Sequence, residues 1–159
     1  MSTVIDQPQP LLRPMRDGDV GELMAIESVV YSHGWTEGIF LDCLRVGYSC
    51  WIHENEGEVI SYGILSLAAG EAHILNVSVK PERQGEGLGR KMVEHLLSIA
   101  RQRGADTAFL EVRPSNYVAI GLYEDIGFIQ AGIRPDYYPA EKGREDAVIM
   151  AMALVHGET

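Results

Sequence analysis

Between Val77 and Arg90 the chain reads V-S-V-K-P-E-R-Q-G-E-G-L-G-R, a β-rich run that turns through a glycine-studded loop into an amphipathic helix. Gln84, Gly85, Glu86, Gly87, Leu88 and Gly89 can turn their backbone N–H groups to one side, because glycine tolerates the dihedrals required and puts no side chain in a ligand's path. The helix that follows leaves its first N–H groups unpaired and places partial positive charge at the same spot. Arg90 adds a full charge. The chemistry implied is capture of an anion, and a diphosphate would fit. The order G-x-x-x-x-G-K-[ST] of an ATP-binding loop is absent, and so is G-x-G-x-x-G; the pattern here is Q-x-x-G-x-G. A tight strand-to-helix turn would use the same glycines, so the flanks must decide.

Two further features could do chemistry. In T-A-F-L-E-V, Leu110 and Val112 face one side of a strand and Glu111 the other, so Glu111 projects a carboxylate from a segment otherwise made to be buried. It could equally pair with Arg113 on the same face. Tyr123 lies seven residues after Asn116, two helical turns on, so both could meet one extended ligand. Asn116 is also a favoured N-cap, and Tyr123 could be a core aromatic anchored by its hydroxyl.

These residues need a scaffold, and the apolar pattern supplies one. Leu11–Pro14 reads as a short strand, followed by a helix with Asp17 as N-cap and Val20, Leu23, Met24 and Ile26 on one face. A second helix starts near Thr36. Strand-like runs cover Tyr48–His53, Val59–Leu67 and Ala72–Val79, with Asn55, Glu56 and Gly57 as a hairpin turn. Leu88, Met92, Val93, Leu96, Leu97 and Ala100 form the stripe of a long helix that Gly104 closes. Then come a strand over Thr107–Val112, a helix over Asn116–Ile126 with Gly127 past its end, and two strands over Phe128–Arg134 and Ala147–Leu154. The order β-α-α-β-β-β-α-β-α-β-β implies an α/β fold with a mixed, mostly antiparallel central sheet and flanking helices. A parallel crossover runs from the strand ending at Val79 to the strand ending at Val112. Ligands in such sheets gather at the carboxyl ends of those strands.

The 159 residues suffice for one domain, expected over 11–154 with a loose leader over 1–10 and a tail over 155–159. No apolar run reaches the roughly 18 residues of a membrane span, and the N-terminus lacks the order of a signal peptide, so a cytoplasmic location without membrane contact is expected. Cys43 and Cys50 show no C-x-x-C spacing, and the five histidines include no H-E-x-x-H; reduced thiols and no metal are expected. A net charge of −10 argues against a nucleic-acid surface and for a basic partner, or simply for solubility.

The run N-V-S-V-K-P-E-R-Q-G-E-G-L-G-R-K-M-V followed by L-E-V-R-P-S-N-Y-V-A-I-G-L-Y-E-D-I-G-F resembles the acetyl-CoA-dependent N-acetyltransferases of the GNAT superfamily. The tail I-R-P-D-Y-Y-P-A-E-K-G-R-E-D-A-V-I-M-A-M and the segment G-W-T-E-G-I-F are similar to its RimI type, bacterial enzymes that acetylate the N-terminal alanine of a small-subunit ribosomal protein. The resemblance extends from about Leu11 to Leu154. It implies the GNAT fold, acetyl-CoA as cosubstrate and a basic protein N-terminus as acceptor. Gln84 and Gly85 to Arg90 would hold the coenzyme diphosphate, while the backbone of Val77, Ser78 and Val79 would pair with the pantetheine arm as a neighbouring strand would. One of those N–H groups can also polarise the thioester carbonyl. Asn116 matches the family's other coenzyme contact.

The resemblance also assigns catalytic roles. An α-amino group with a pKa of about 8 is mostly protonated at neutral pH and must lose its proton before attack. Glu111 matches the family's general base, directly or through a water, and Tyr123 its general acid toward the departing thiolate. Trp35, Tyr137 and Tyr138 are candidates for the acceptor groove; core packing for Trp35 and an exposed loop for the tyrosines are the alternatives. Gly34 stands where Pro commonly precedes the Trp, and Pro114 where a small residue follows L-E-V-R. Neither cysteine falls in these motifs, so direct attack in a ternary complex is expected rather than an acetyl-cysteine. A lysine or small-molecule amine as acceptor, or a non-catalytic acetyl-CoA-binding module, are the competing readings.

Overall fold

A computed structural model describes residues 11–154; the expected leader and tail lie outside the described residues. Strand β1 (Leu11–Pro14) leads through a 3₁₀ turn (Asp17–Asp19) into α1 (Val20–Val30) and α2 (Glu37–Arg45). Next come β2 (Ser49–Asn55), β3 (Glu58–Ala68), β4 (Glu71–Val79), α3 (Leu88–Gln102), β5 (Thr107–Val112), α4 (Tyr117–Ile126), β6 (Ile129–Pro139) and β7 (Arg144–Ala153). The strands form one sheet of order β1-β2-β3-β4-β5-β7-β6, in which only β4 and β5 are parallel. The expected crossover is the β4–α3–β5 connection.

Local signals explain most boundaries. The β2–β3 hairpin turns at Glu56 and Gly57, both with positive φ, as a tight turn between right-twisted strands requires. Thr36 caps α2 by accepting the Ile39 N–H at 3.3 Å. Asp17, expected as an N-cap, instead lies inside the 3₁₀ turn, and it is Asp19 whose carboxylate accepts the Arg16 N–H at 2.8 Å. The Arg13 guanidinium grips Asp19 from the first strand at 2.8 Å and holds its carboxyl below the usual carboxylate range. Asp19 thus stands at the N-cap of α1 with its side chain turned back to Arg13 and Arg16 and not onto the helix end.

The core has two layers, one on each face of the sheet. Met92, Val93, Leu96 and Leu97 of α3 pack on Leu65, Ile74 and Leu110, while Leu23, Phe40 and Ile26 of the first two helices pack on Ile52, Tyr62 and Ile64. A bulge in β4 governs which residues meet which layer. Ile74 pairs with Leu65 but Asn76 pairs with Ile64, so Leu75 is the extra residue and the alternation of β4 inverts there. Ala72 and Ile74 belong to the α3 layer; beyond the bulge Asn76 and Ser78 are buried and bonded to residues of α1 and the segment after it. Pairing between β4 and β5 stops at the same place, Ile74 with Leu110, although both strands continue. The two strands thus part around a wedge-shaped opening.

The last hairpin is longer than its alternation suggested. Strand β6 runs to Pro139 and β7 begins at Arg144, so Tyr137 and Tyr138 belong to a strand and not to a loop. The P-D-Y-Y-P stretch hides this because the register slips between Arg134 and Tyr138, with Asp136 at φ 51°.

Candidate active site

The wedge between β4 and β5 opens into two adjoining cavities. The larger, about 810 Å³, is lined by Val77, Ser78, Val79 and the loop Gln84–Arg90 apart from Glu86, and on its other wall by α4 from Asn116 to Tyr123. The smaller, about 200 Å³, is lined by Glu27, Gly34, Trp35, Glu111 and Tyr138 among others. Tyr31, Val77, Asn116, Ala119 and Tyr123 line both and mark their junction.

The loop is built as an anion cradle. Gly85 and Gly87 adopt φ of +85° and +81°, conformations that L side chains rarely hold. Gly87 occupies the N-cap of α3 with no side chain bonded to the helix end, so the first N–H groups of a 15-residue helix open toward the cleft. Gly89 is already helical, and a Cβ there would make only ordinary contact with Leu122 and Val79. Gln84 Nε2 donates to the Val79 carbonyl at 3.2 Å, fastening the loop to the end of β4. Arg90 is ion-paired with Asp125 of α4, which joins the two walls. Leu88 and Ser78 have buried side chains and offer the cleft only backbone; Glu86 faces Arg83, 3.0 Å away. The cleft suits a long ligand with an anionic end: its cradle has room no protein Cβ fills, and β4 past Ile74 shows the cleft an edge that β5 does not pair.

Glu111 and Tyr123 both line the small chamber. Arg113, the alternative partner of Glu111, turns instead to Glu145 at 3.1 Å and the Pro139 carbonyl at 2.9 Å, with its guanidinium 4.5 Å from the Tyr138 ring centre. Glu111 Oε2 is therefore buried without a hydrogen bond, and Arg134 Nε at 3.4 Å is its nearest cation. A buried acceptor held only by an ion pair, with no hydrogen bond, has room for a ligand donor. Tyr123 packs edge-on against Phe128 at 5.9 Å, and its hydroxyl makes no hydrogen bond among the described residues, so the anchored-aromatic reading does not hold. Burial, then the nearby Tyr31 and Tyr138, push its pKa above the usual tyrosine value, so the hydroxyl keeps its proton. Asn116 does cap α4, accepting the Ala119 N–H at 3.2 Å, while also lining both cavities.

Of the acceptor candidates, Trp35 does two things at once: its ring packs on Phe40 at 5.2 Å and it lines the small chamber. Tyr138 lines the chamber as well, whereas Tyr137 stacks edge-on against Tyr138 at 4.9 Å and is half exposed. Among the chamber residues not singled out from the sequence are two buried polar ones. Glu27 and Asn76 line the chamber and are buried. The available signal for Glu27 was a charge at a core position of α1, four residues after Leu23. Asn76 gave none, because the bulge reverses its facing. Among the described residues no group of three or more metal-ligating side chains comes together, and no helix is long and apolar enough to cross a membrane.

A parted β4–β5 pair, a glycine-lined helix start at α3 and a chamber lined by Glu111 and Tyr123 lie together on a mixed sheet, and the profile of the acetyltransferase (GNAT) family matches residues 20–128. The chain belongs to this family of acetyl-CoA-using enzymes and is an acetyltransferase. It is 40% identical over 129 residues, 81% of this chain and 87% of the relative, to the [ribosomal protein bS18]-alanine N-acetyltransferase of Escherichia coli strain K12. The crystal structure of the ribosomal-protein-S18-alanine N-acetyltransferase from Escherichia coli superposes with a TM-score of 0.87 at 35% identity, over 94% of this chain and 97% of that one. The fold is shared with yncA from Salmonella typhimurium, solved with its cofactor acetyl-CoA (TM-score 0.76, 20% identity, 94% and 96% covered).

Proposed function

We propose that this chain moves the acetyl group of acetyl-CoA to the α-amino group of a protein that begins with alanine, a small-subunit ribosomal protein like the one for which its Escherichia coli relative is named. The observation that carries the reading is one chamber lined by both Glu111, whose buried Oε2 has only Arg134 at 3.4 Å beside it, and Tyr123, whose hydroxyl keeps its proton. Acetyl-CoA, when bound, supplies the activated acyl carbon. Gln84, Gly85 and Gly87 to Arg90 hold its diphosphate with backbone N–H groups and the α3 dipole. Glu86 contributes backbone alone, since Arg83 holds its carboxylate. The free edge of Val77, Ser78 and Val79 aligns the pantetheine arm by main-chain pairing. Asn116 orients the same arm from the other wall.

The acceptor enters by the small chamber, between Trp35 and the Tyr137–Tyr138 pair, as a cation approaching the Glu111 carboxylate. Glu111 takes the ammonium proton, directly or through a water, and Tyr123 donates a hydrogen bond to the departing sulfur. Neither cysteine lines the cavities; burial pushes the Cys50 thiol up to about 12 and Cys43 is raised likewise, which leaves both unreactive and favours direct attack. A net charge of −10 draws basic acceptors toward the protein. The reading also places the protein in the cytoplasm, where ribosomal acceptors are made. The test is release of free coenzyme A with a basic peptide beginning in alanine against the same peptide with a blocked N-terminus. Turnover confined to the free amine is expected; equal turnover on both would assign lysine side chains, and none on either a small-molecule amine.

A further inference from the structure

Glu27 sits on α1 with 2% of its surface exposed, and no role above uses it. A carboxylate so buried requires donors. Three converge on it: the Tyr62 hydroxyl and Asn76 Nδ2 (3.1 Å) on Oε1, and the backbone N–H of Trp35 on Oε2 at 2.8 Å. The first two come from the sheet and the third from the segment joining α1 to α2, so one side chain ties two separate walls of the chamber. On the sheet side the tie is itself braced, since Ser78 Oγ donates to Asn76 Oδ1 at 2.8 Å. On the other side the fit is tight. A Cβ added at Gly34 would stand 2.7 Å from Glu27 Cγ and 3.0 Å from Oε2, so the loop lies directly against this side chain. The β4 bulge is what turns Asn76 toward α1 and makes the tie feasible.

We propose that Glu27 is a positioning residue that sets the width of the acceptor chamber. By holding the Trp35 amide to Asn76 it fixes the spacing between Gly34–Trp35 and the splayed end of β4, and so restricts the first residue of the acceptor to a small side chain. This rests on the N-terminal-alanine reading above.

Glu27→Gln keeps the volume but not the bonding. With its oxygen toward Tyr62 and Asn76 its amide opposes the Trp35 N–H, and in the flipped state it opposes the Asn76 amide. Either way one tie is lost and the wall is freed. Gly34→Ala pushes the same wall outward from the other side. The measurement is kcat/KM on two peptides that differ only in a first residue of alanine or leucine, expressed as a ratio. That ratio is independent of how much of each preparation is folded. One methylene in a pocket is worth about 10–200-fold in discrimination, so the alanine-to-leucine ratio should fall at least about tenfold in both variants, with the KM for acetyl-CoA within about twofold of wild type. A ratio equal to that of wild type, even with lower activity on both peptides, would reduce Glu27 to a fold-stabilising group and overturn the proposal. Wild-type protein that acetylates neither free N-terminus would overturn the acceptor reading instead, which separates the two failures.

Discussion

Replacing Tyr123 by Phe separates chemistry from stability. The ring contact with Phe128 survives the change, and the hydroxyl has no hydrogen bond to lose among the described residues, so no donor or acceptor is orphaned. The folding free energy should move by no more than about 0.5 kcal/mol, the range of substitutions that disturb no packing or bonding. For a chain of this length that is roughly 2 °C or less in melting temperature. Turnover should behave differently. A positioned proton donor contributes about 10²–10⁴-fold, or roughly 2.7–5.4 kcal/mol at 1.36 kcal/mol per decade. Because burial raises the tyrosine pKa, wild-type Tyr123 stays protonated past pH 10, and its own ionisation should cause no loss of activity below that pH. The assay is kcat at saturating acetyl-CoA and peptide from pH 7 to 10, with thermal melting of both proteins alongside. Turnover within threefold of wild type would remove Tyr123 from the reaction. A melting point more than about 5 °C lower, falling together with activity, would make it a structural tyrosine.

Glu111→Gln should lower kcat/KM by about 10²–10⁴ at pH 7 with acetyl-CoA affinity by calorimetry unchanged, and the deficit should narrow above pH 8 as the amine loses its proton unaided; a deficit independent of pH would argue against a base. Gly87→Ala forces a side chain into φ +81°, at about 1–2 kcal/mol, and should weaken acetyl-CoA binding; Gly104→Ala, with φ +78° at the far end of α3, should lower the melting point comparably and leave binding intact. Burial of His53, with nearby Lys91 and His95, depresses its pKa below the unfolded value of about 6.5. The unfolded chain therefore takes up the proton first, and stability should be full above pH 6.5 and decline as pH falls below it. His53→Leu should flatten that decline in melts between pH 7.5 and 5, and an unchanged slope would exclude His53 as its source.

The sequence determined the element order, the crossover and the cradle, because each rests on local rules. Apolar spacing of 3.6 marks α3, Thr36 and Asn116 are caps whose bonds close within three residues, and the glycines at 85 and 87 are needed for backbone dihedrals that no distant residue alters. Glu111 and Tyr123 were legible as a carboxylate on an apolar strand and a tyrosine two turns from Asn116. The remaining features depend on contacts that no local rule supplies. Arg13 reaches Asp19 and holds it at the start of α1; Arg113 goes to Glu145, which leaves Glu111 to Arg134; the β6–β7 register slip carries Tyr137 and Tyr138 onto a strand. The bulge at Leu75 is the clearest case. A run such as A-H-I-L-N-V-S-V has no local mark for an extra residue, and only the register against β3 inverts its facing, delivers Asn76 to Glu27 and opens the wedge that holds the proposed site.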